Sequence, residues 1–196
     1  MQQMHIRYLP RARHGSRAPV RGFTAIELMV VISLVAILAA LAAPSFTPII
    51  QNWRVRQAVG GLQSSLYFAR SEAIKRGGNI TIRKEPTGAG GCTLASGGAN
   101  WDCGWFVFVD TNDNGALNTG EEVLQRFASP ANIEVTRSVT QSNIRFDRWG
   151  RPNAPFGFSV VPLNKSTSDP AARGLCMSSG GRIRVTSDPA EIPCTG

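Results

Sequence analysis

Arg21-Gly22-Phe23-Thr24-Ala25-Ile26-Glu27-Leu28 joins a basic N-terminal segment to a long apolar run. Residues 1–22 contain five arginines and no acidic residue, and the apolar run continues to Ala43 with Thr24, Glu27 and Ser33 as its polar exceptions. A helix over residues 23–43 would be roughly 30 Å long, the thickness of the hydrocarbon core of a bilayer. Because positively charged flanks stay in the cytoplasm, the pattern predicts a single-pass membrane anchor with a C-terminal body that faces outward.

The small residue Gly22 precedes the apolar run, whereas a conventional secretory signal places its cleavage site after it. The stretch resembles the class III signal of type IV pilins and type II secretion pseudopilins. That resemblance implies cleavage between Gly22 and Phe23 by a prepilin peptidase, methylation of the new N-terminal Phe23, and pairing of Glu27 with the N-terminal ammonium of a neighbouring subunit during assembly. A carboxylate in a membrane helix is costly unless it is paired, which agrees with that role. The alternative is a helix-end carboxylate that reaches the lipid headgroups.

The composition argues against an enzyme. A chain of 196 residues suits one ordinary domain with a small extra segment. Both histidines, His5 and His14, lie in the leader, so cleavage would leave a body without the residue that Ser-His-Asp triads, Cys-His pairs and His-ligated zinc require. Cleavage would also remove five of the 21 Lys and Arg residues. Part of the net charge of +8 therefore belongs to the leader, where it sets the orientation in the membrane. We expect no catalytic residues and no cofactor.

A helix followed by short strands is predicted beyond Pro44 and Pro48. Apolar residues recur at helical spacing, and Gly77-Gly78 predicts the helix end; the stripe is Val55, Val59, Leu62, Leu66, Ala69 and Ala73. Predicted strands cover residues 80–83, 105–109, 123–127, 133–137, 144–146, 158–161 and 183–186.

The pattern matches an α+β, type IV pilin-like fold, in which a long N-terminal helix with a transmembrane half and an amphipathic half packs on antiparallel β-sheets. The expected parts are a cleaved leader (1–22), the transmembrane and assembly half-helix (23–47), the amphipathic half-helix (48–78) and a β-rich domain (79–196).

Two segments of the β-rich region resemble the GspH/FimT group of minor pilins. The first runs from Gly104 to Asp110, passes through an Asn- and Gly-rich turn and ends at residues 121–124. The second is Ile144-Arg145-Phe146, followed by Gly150 and Pro152. With the N-terminal motif, the resemblance covers nearly the whole chain.

Four cysteines, Cys92, Cys103, Cys176 and Cys194, allow three disulfide connectivities. We favour the sequential pairs, because each brackets a short segment that is rich in Gly or contains Pro, and an exported domain meets an oxidising compartment. A four-cysteine zinc site is the alternative, although neither pair has the close spacing of such sites.

A calcium-loop pattern occurs at Asp110, Asn112, Asn114 and Glu121, with Gly115 between them. The EF-hand loop that has this pattern lies between helices, whereas the flanking residues here predict strands. Asn, Asp and Gly also supply the conformations of a long hairpin turn. We therefore expect a structural loop and keep calcium as the weaker alternative.

The C-terminal region concentrates positive charge. Gly181, Arg182 and Arg184 form a Gly-Arg-x-Arg motif, and alternate strand residues share a face, so the two guanidinium groups are expected to project together as a phosphate clamp. The motif resembles the DNA-binding motif of FimT-type minor pilins. Arg148 and Arg151 flank Trp149, a pattern compatible with single-strand stacking, although we expect Trp149 to be a packing residue. The alternative is a solvated basic face.

The resemblance most closely fits a FimT-like minor pilin of a type IV pilus that binds DNA without sequence specificity for uptake in natural transformation. The alternative is a structural protein without DNA binding, either a GspH-like pseudopilin of the type II secretion system or a FimU-like minor pilin that primes assembly. Expected partners are other pilin subunits, the prepilin peptidase, the inner membrane and DNA. After assembly, the protein is expected in a pilus or pseudopilus.

Overall fold

The computed structural model describes residues 22–42, 46–94 and 96–194, and the chain divides into two compact units, residues 1–44 and 45–196. In the first unit, helix α1 covers Ala25–Ala42, and its side chains up to Leu41 are exposed. In the described part of the chain, no helix has the length and apolar character required to cross a membrane. The leader arginines lie outside the described residues. Residues 43–45, which fall within the predicted N-terminal helix, lie outside them as well.

Helix α2 covers Thr47–Arg76 and begins the second unit. Every residue of the predicted apolar stripe is buried, which confirms the stripe as the packing face of the helix. Gly77 ends the helix with a φ of 80°, and the N–H of Gly78 donates to the Ala73 carbonyl at 2.8 Å. The predicted glycine end of the helix is therefore confirmed, because a left-handed cap of this kind favours glycine.

Two antiparallel sheets follow in the second unit. The first has the order β3-β2-β1-β5 and the second β4-β6-β7-β8. Their bounds are β1 Ile80–Lys84, β2 Trp105–Val109, β3 Val123–Phe127, β4 Ile133–Arg137, β5 Asn143–Phe146, β6 Phe156–Pro162, β7 Arg173–Met177 and β8 Ile183–Thr186. Helix α2 contacts strands of both sheets, and the apolar residues between them form the core. The predicted α+β class is confirmed.

Strand β7 is the one described strand that the sequence pattern does not predict. Gly174, which weakens a strand signal, lies near its start. A Cβ at this position would lie 2.9 Å from Thr186 Cγ2 and 3.0 Å from Ile192 Cγ1. The glycine therefore gives room to the neighbouring strand and to the C-terminal segment.

The loop between β2 and β3 lies against the outer face of the first sheet. Phe106 and Phe108 are buried outside the main core cluster. The fully buried carboxylate of Asp110 accepts hydrogen bonds from Thr81 Oγ1 and from the N–H of Gly115, both at 2.8 Å. These contacts fix the start of the loop to strand β1.

Candidate functional site

The N-terminal motif lies at the start of α1. Gly22 and Phe23 precede the helix in exposed, non-helical backbone. Thr24 Oγ1 accepts a hydrogen bond from the N–H of Glu27 at 3.2 Å, so the threonine caps the helix. Glu27 is exposed in the first turn, where the partial positive charge of the helix N-terminus favours a carboxylate.

The predicted Gly-Arg-x-Arg motif forms the turn into strand β8. The N–H of Gly181 donates to the Ser178 carbonyl at 2.8 Å, and the N–H of Ser178 donates to the Arg182 carbonyl at 3.0 Å. Gly181 has a φ of +82°, which a side-chain-bearing residue rarely adopts. The turn places Arg182 immediately before β8 and Arg184 inside it.

The two arginines of this motif are in different electrostatic states. Arg184 Nη1 lies 2.7 Å from Glu191 Oε2, and hydrogen bonding from Arg184 holds the pKa of Glu191 below its ordinary value. Arg182 is exposed, and it forms no ion pair with any carboxylate in the described part of the chain. The expected pair of equivalent guanidinium groups is therefore one available group and one that is already paired.

The second predicted basic segment is a tight turn from Asp147 to Arg151. Asp147 Oδ1 accepts from the N–H groups of Trp149 and Arg151, both at 2.9 Å, and its Oδ2 accepts from Arg151 Nε at 3.0 Å. Desolvation raises the pKa of Asp147, but these hydrogen bonds outweigh it and leave the pKa below its ordinary value. Arg151 is thus a structural partner of Asp147 as well as a surface charge.

Trp149 is exposed, contrary to the expectation that it packs in the core. The residue is 65% accessible, and the Arg148 guanidinium carbon lies 5.9 Å from its ring centroid. The turn fixes the backbone of Trp149 through Asp147, while most of the residue stays exposed. Arg148 forms no ion pair with a carboxylate among residues 22–42, 46–94 and 96–194.

The structure brings the two basic turns together. Arg70 on α2 donates from Nη1 to the Gly181 carbonyl at 2.8 Å. A Cβ on Gly181 would lie 3.2 Å from the Gly150 carbonyl, and one on Gly150 would lie 2.6 Å from Arg70 Cγ. Arg70 therefore links two turns whose glycines, Gly150 and Gly181, are 31 residues apart in the sequence, and its position off the apolar stripe gave no sign of this role.

An open groove of ≈ 690 Å³ lies beside these turns. Arg145, Arg148 and Arg151 contribute to its lining, as do Asn79, Asp113, Asn153 and Ser179. Arg145 Nη1 donates to the Asp113 carbonyl at 2.8 Å and lies 3.3 Å from Asp113 Oδ2, so this arginine is also paired. The groove combines guanidinium donors with amide and carboxylate acceptors.

The calcium-like loop uses its carboxylates internally. Asp110 Oδ1 accepts from the N–H of Asn114 at 3.0 Å in addition to the Oδ2 contacts described above. Glu121 accepts from Thr111 and from the N–H of Asn118 at 2.7 Å, and the backbone hydrogen bond from Asn118 contributes most to lowering the pKa of Glu121. Strands β2 and β3 flank the loop, as expected from the sequence. Within the described residues, no group of three or more His, Cys, Asp and Glu side chains has a metal-binding arrangement.

The cysteines form two disulfides, Cys92–Cys103 and Cys176–Cys194. This is the sequential pairing that the sequence favours over the other connectivities and over zinc. The second disulfide ties the C-terminal segment, which carries Glu191, to strand β7.

Comparisons with known proteins agree with this architecture. A family profile described as Type II transport protein GspH matches residues 58–181, and one described as the prokaryotic N-terminal methylation motif matches residues 17–43. The chain is 28% identical over 171 residues to the pilin-like protein PilA1 of Thermus thermophilus, an alignment that covers 84% of this chain and 97% of the relative.

Two crystal structures of the type IV minor pilin FimU from Pseudomonas aeruginosa are similar in fold. Their TM-scores are 0.50 and 0.51 at 19% identity, over 69% of this chain and 94% and 90% of theirs.

Proposed function

The chain belongs to the GspH family of type IV pilins and pseudopilins, and from this premise we propose that it is a minor pilin that binds DNA without sequence specificity for uptake in natural transformation. The family is structural and not enzymatic. It implies association with other pilin subunits, and the N-terminal methylation motif implies membrane anchoring, recognition by a prepilin peptidase and pilus assembly.

The juxtaposition of the two basic turns supports DNA binding. Arg148 and Arg182 belong to turns in mutual contact through Gly150 and Gly181, and neither arginine has a carboxylate partner in the described residues. Two available guanidinium groups on neighbouring turns match the requirement for phosphate contacts. Because such contacts carry no base information, the expected binding is independent of sequence and weakens with salt.

The proposal also assigns a role in filament assembly to the N-terminal residues. Cleavage between Gly22 and Phe23 would create an N-terminal ammonium for methylation, and Glu27 of a neighbouring subunit would pair with it. We place the unassembled protein in the inner membrane, with residues 79–196 in the periplasm, before it enters the pilus.

The decisive experiment compares the double variant Arg148→Ala with Arg182→Ala against the unmodified chain. Both are purified in a non-ionic detergent after treatment with prepilin peptidase, which removes the leader arginines. Mobility shifts across a salt series should show binding weakened by about tenfold per arginine and a salt slope reduced by about 2. The control is Arg54→Ala with Arg56→Ala, which removes the same charge from α2.

A structural role without DNA binding is the second candidate, either as a type II secretion pseudopilin or as an assembly-priming minor pilin. The Arg184–Glu191 ion pair favours it, because half of the expected phosphate clamp is already neutralised. Absence of DNA binding by the unmodified chain would support this candidate over DNA uptake, whereas equal binding by the unmodified chain and the Arg148 and Arg182 double variant would overturn the assignment of these two arginines.

A further inference from the structure

Trp149 has no packing function that accounts for its position. The residue is 65% accessible at the tip of a turn whose backbone is held by Asp147. Gly150, the next residue, has a φ of +69° and lies against Arg70 and Ile74, which fixes the turn on α2. The chain therefore holds a large aromatic face at the surface on a rigid support.

The charges around Trp149 match a nucleic-acid strand. Arg148 lies beside the ring, and the neighbouring turn places the unpaired Arg182 on the adjoining loop. An aromatic face flanked by guanidinium groups is the arrangement by which proteins stack a base and hold the phosphates on either side of it. A double helix covers its base faces by stacking, so only a single strand offers them along its length.

The adjacent groove offers partners for base edges. Its lining includes Asn79, Asn153 and Asp113, which lies next to Arg145. These groups include both donors and acceptors, whereas phosphate binding alone would need only donors. Base edges that are free of Watson–Crick pairing are accessible in single strands.

We propose that the turns at Trp149 and Gly181, with this groove, form a binding site for single-stranded DNA in which Trp149 stacks on a base while Arg148 and Arg182 hold flanking phosphates. The inference rests on the proposed DNA-binding function and specifies the form of DNA that the site takes. It also assigns Trp149 as a binding residue.

The test measures fluorescence anisotropy with two DNA probes and the detergent-purified, peptidase-treated chain. One probe is an oligothymidylate of about 20 nucleotides, longer than the roughly 4–16 nucleotides that one small domain covers. The other is a closed dumbbell duplex without exposed terminal bases. Trp149→Ala should weaken binding of the single strand by about tenfold and leave duplex binding unchanged, since the single strand loses one stacked base and the closed duplex exposes none. Trp149→Phe should restore most of the lost affinity.

The control is Trp53→Ala, which removes a tryptophan that is 63% accessible on α2. It should change binding to neither probe. Equal binding of the single strand by Trp149→Ala and the unmodified chain would overturn the single-strand site, and the proposed DNA function would stand if Arg148→Ala with Arg182→Ala still weakened binding. Failure of the unmodified chain to bind either probe would overturn both.

Discussion

Ion pairing separates the surface arginines into two groups. Arg184 is held by Glu191 at 2.7 Å and Arg151 by Asp147 at 3.0 Å, whereas Arg148 and Arg182 have no carboxylate partner in the described residues. A phosphate that binds a paired arginine must compete with its carboxylate. The number of arginines in a basic region is therefore larger than the number ready to bind an anion.

Glu191→Gln is expected to increase DNA affinity. The substitution keeps the size of the side chain but removes the charge that neutralises Arg184. Since one more guanidinium becomes available to a phosphate, affinity should rise by about threefold to tenfold and the salt slope should steepen by about 1. Mobility shifts across a salt series measure both quantities.

Glu122→Gln provides the matched control. Glu122 lies 3.2 Å from Arg76, which also pairs with Glu72 at 2.7 Å, so this variant makes the same change in net charge in a different part of the domain and leaves its arginine paired. Its DNA affinity should change much less. Lower affinity in Glu191→Gln would indicate that the carboxylate positions Arg184 for binding and does not compete with DNA.

Asp102 is expected to make stability fall as the pH rises. Burial raises the pKa of this carboxyl above its ordinary value of 3.8, although the N–H of Val135 donates to it at 2.5 Å. The folded chain thus binds more protons than the unfolded chain between the ordinary and the raised pKa, so this group's contribution to the free energy of unfolding decreases with pH through that window.

Asp102→Asn should remove this pH dependence and raise the melting temperature at neutral pH. The amide oxygen can still accept from Val135, while the cost of burying a charge is gone. Thermal melts of both proteins across the acidic range isolate the effect, because the other carboxyls are common to both. Parallel stability curves would show that Asp102 does not titrate differently in the folded and unfolded states.

At the scale of the elements, helix α2 contains two adjacent glycines in different surroundings. A Cβ on Gly60 would meet no atom within 4 Å, whereas one on Gly61 would lie 2.1 Å from Phe127 Cζ. The Phe127 ring stacks on Trp105 with centroids 4.6 Å apart, so it is held where a side chain on Gly61 would have to go. Gly61 is therefore required for the packing of α2 on the first sheet.

Gly61→Ala should lower the free energy of unfolding by about 1–3 kcal/mol, because an added methyl group in a packed contact forces its neighbours to shift. Gly60→Ala should instead raise it by up to about 1 kcal/mol, since alanine favours a helix and no neighbour opposes it. Urea unfolding measures the two variants side by side. Equal stabilisation in both would mean that the Phe127 ring moves away at little cost.

Local patterns predict the elements that local physics determines. The buried stripe of α2 and its end at Gly77 follow from helical spacing and from a glycine cap, and β2 and β3 have the predicted bounds. Strand β7 is not predicted, because Gly174 weakens the local strand pattern. Glycine is required there by Thr186 and Ile192, which are close to Gly174 in the fold but far from it in the sequence. A rule based on neighbouring residues has no access to that contact.

The candidate site is only partly predictable for the same reason. The Gly-Arg-x-Arg turn is readable from the sequence, but the Arg70 contact with Gly181 spans 111 positions. Glu191 lies beyond the basic region, so a local charge count does not include the carboxylate that neutralises Arg184. Trp149 is misjudged because aromatic residues are more often buried, and its exposure follows from a turn fixed by Asp147.

For the molecule as a whole, the C-terminal segment lies across the second sheet. A Cβ on Gly157 in β6 would lie 2.1 Å from the Cys194 carbonyl, so the two backbones are in direct contact there. Ile192 is buried, and the Cys176–Cys194 disulfide anchors the segment on β7. The same segment carries Glu191, which pairs with Arg184. The disulfide that anchors the segment therefore also holds in place the carboxylate that neutralises an arginine of the proposed DNA site.

Cys176→Ala with Cys194→Ala should therefore change both stability and DNA binding. The disulfide closes a segment with a sequence separation of 18, and its loss should cost about 3 kcal/mol in the free energy of unfolding. Release of the segment should speed hydrogen exchange over residues 187–194 and raise DNA affinity as Glu191→Gln does. Cys92→Ala with Cys103→Ala opens a loop of separation 11 and should destabilise comparably without altering DNA affinity. Faster exchange of the released segment with unchanged DNA affinity would mean that Glu191 does not compete for Arg184.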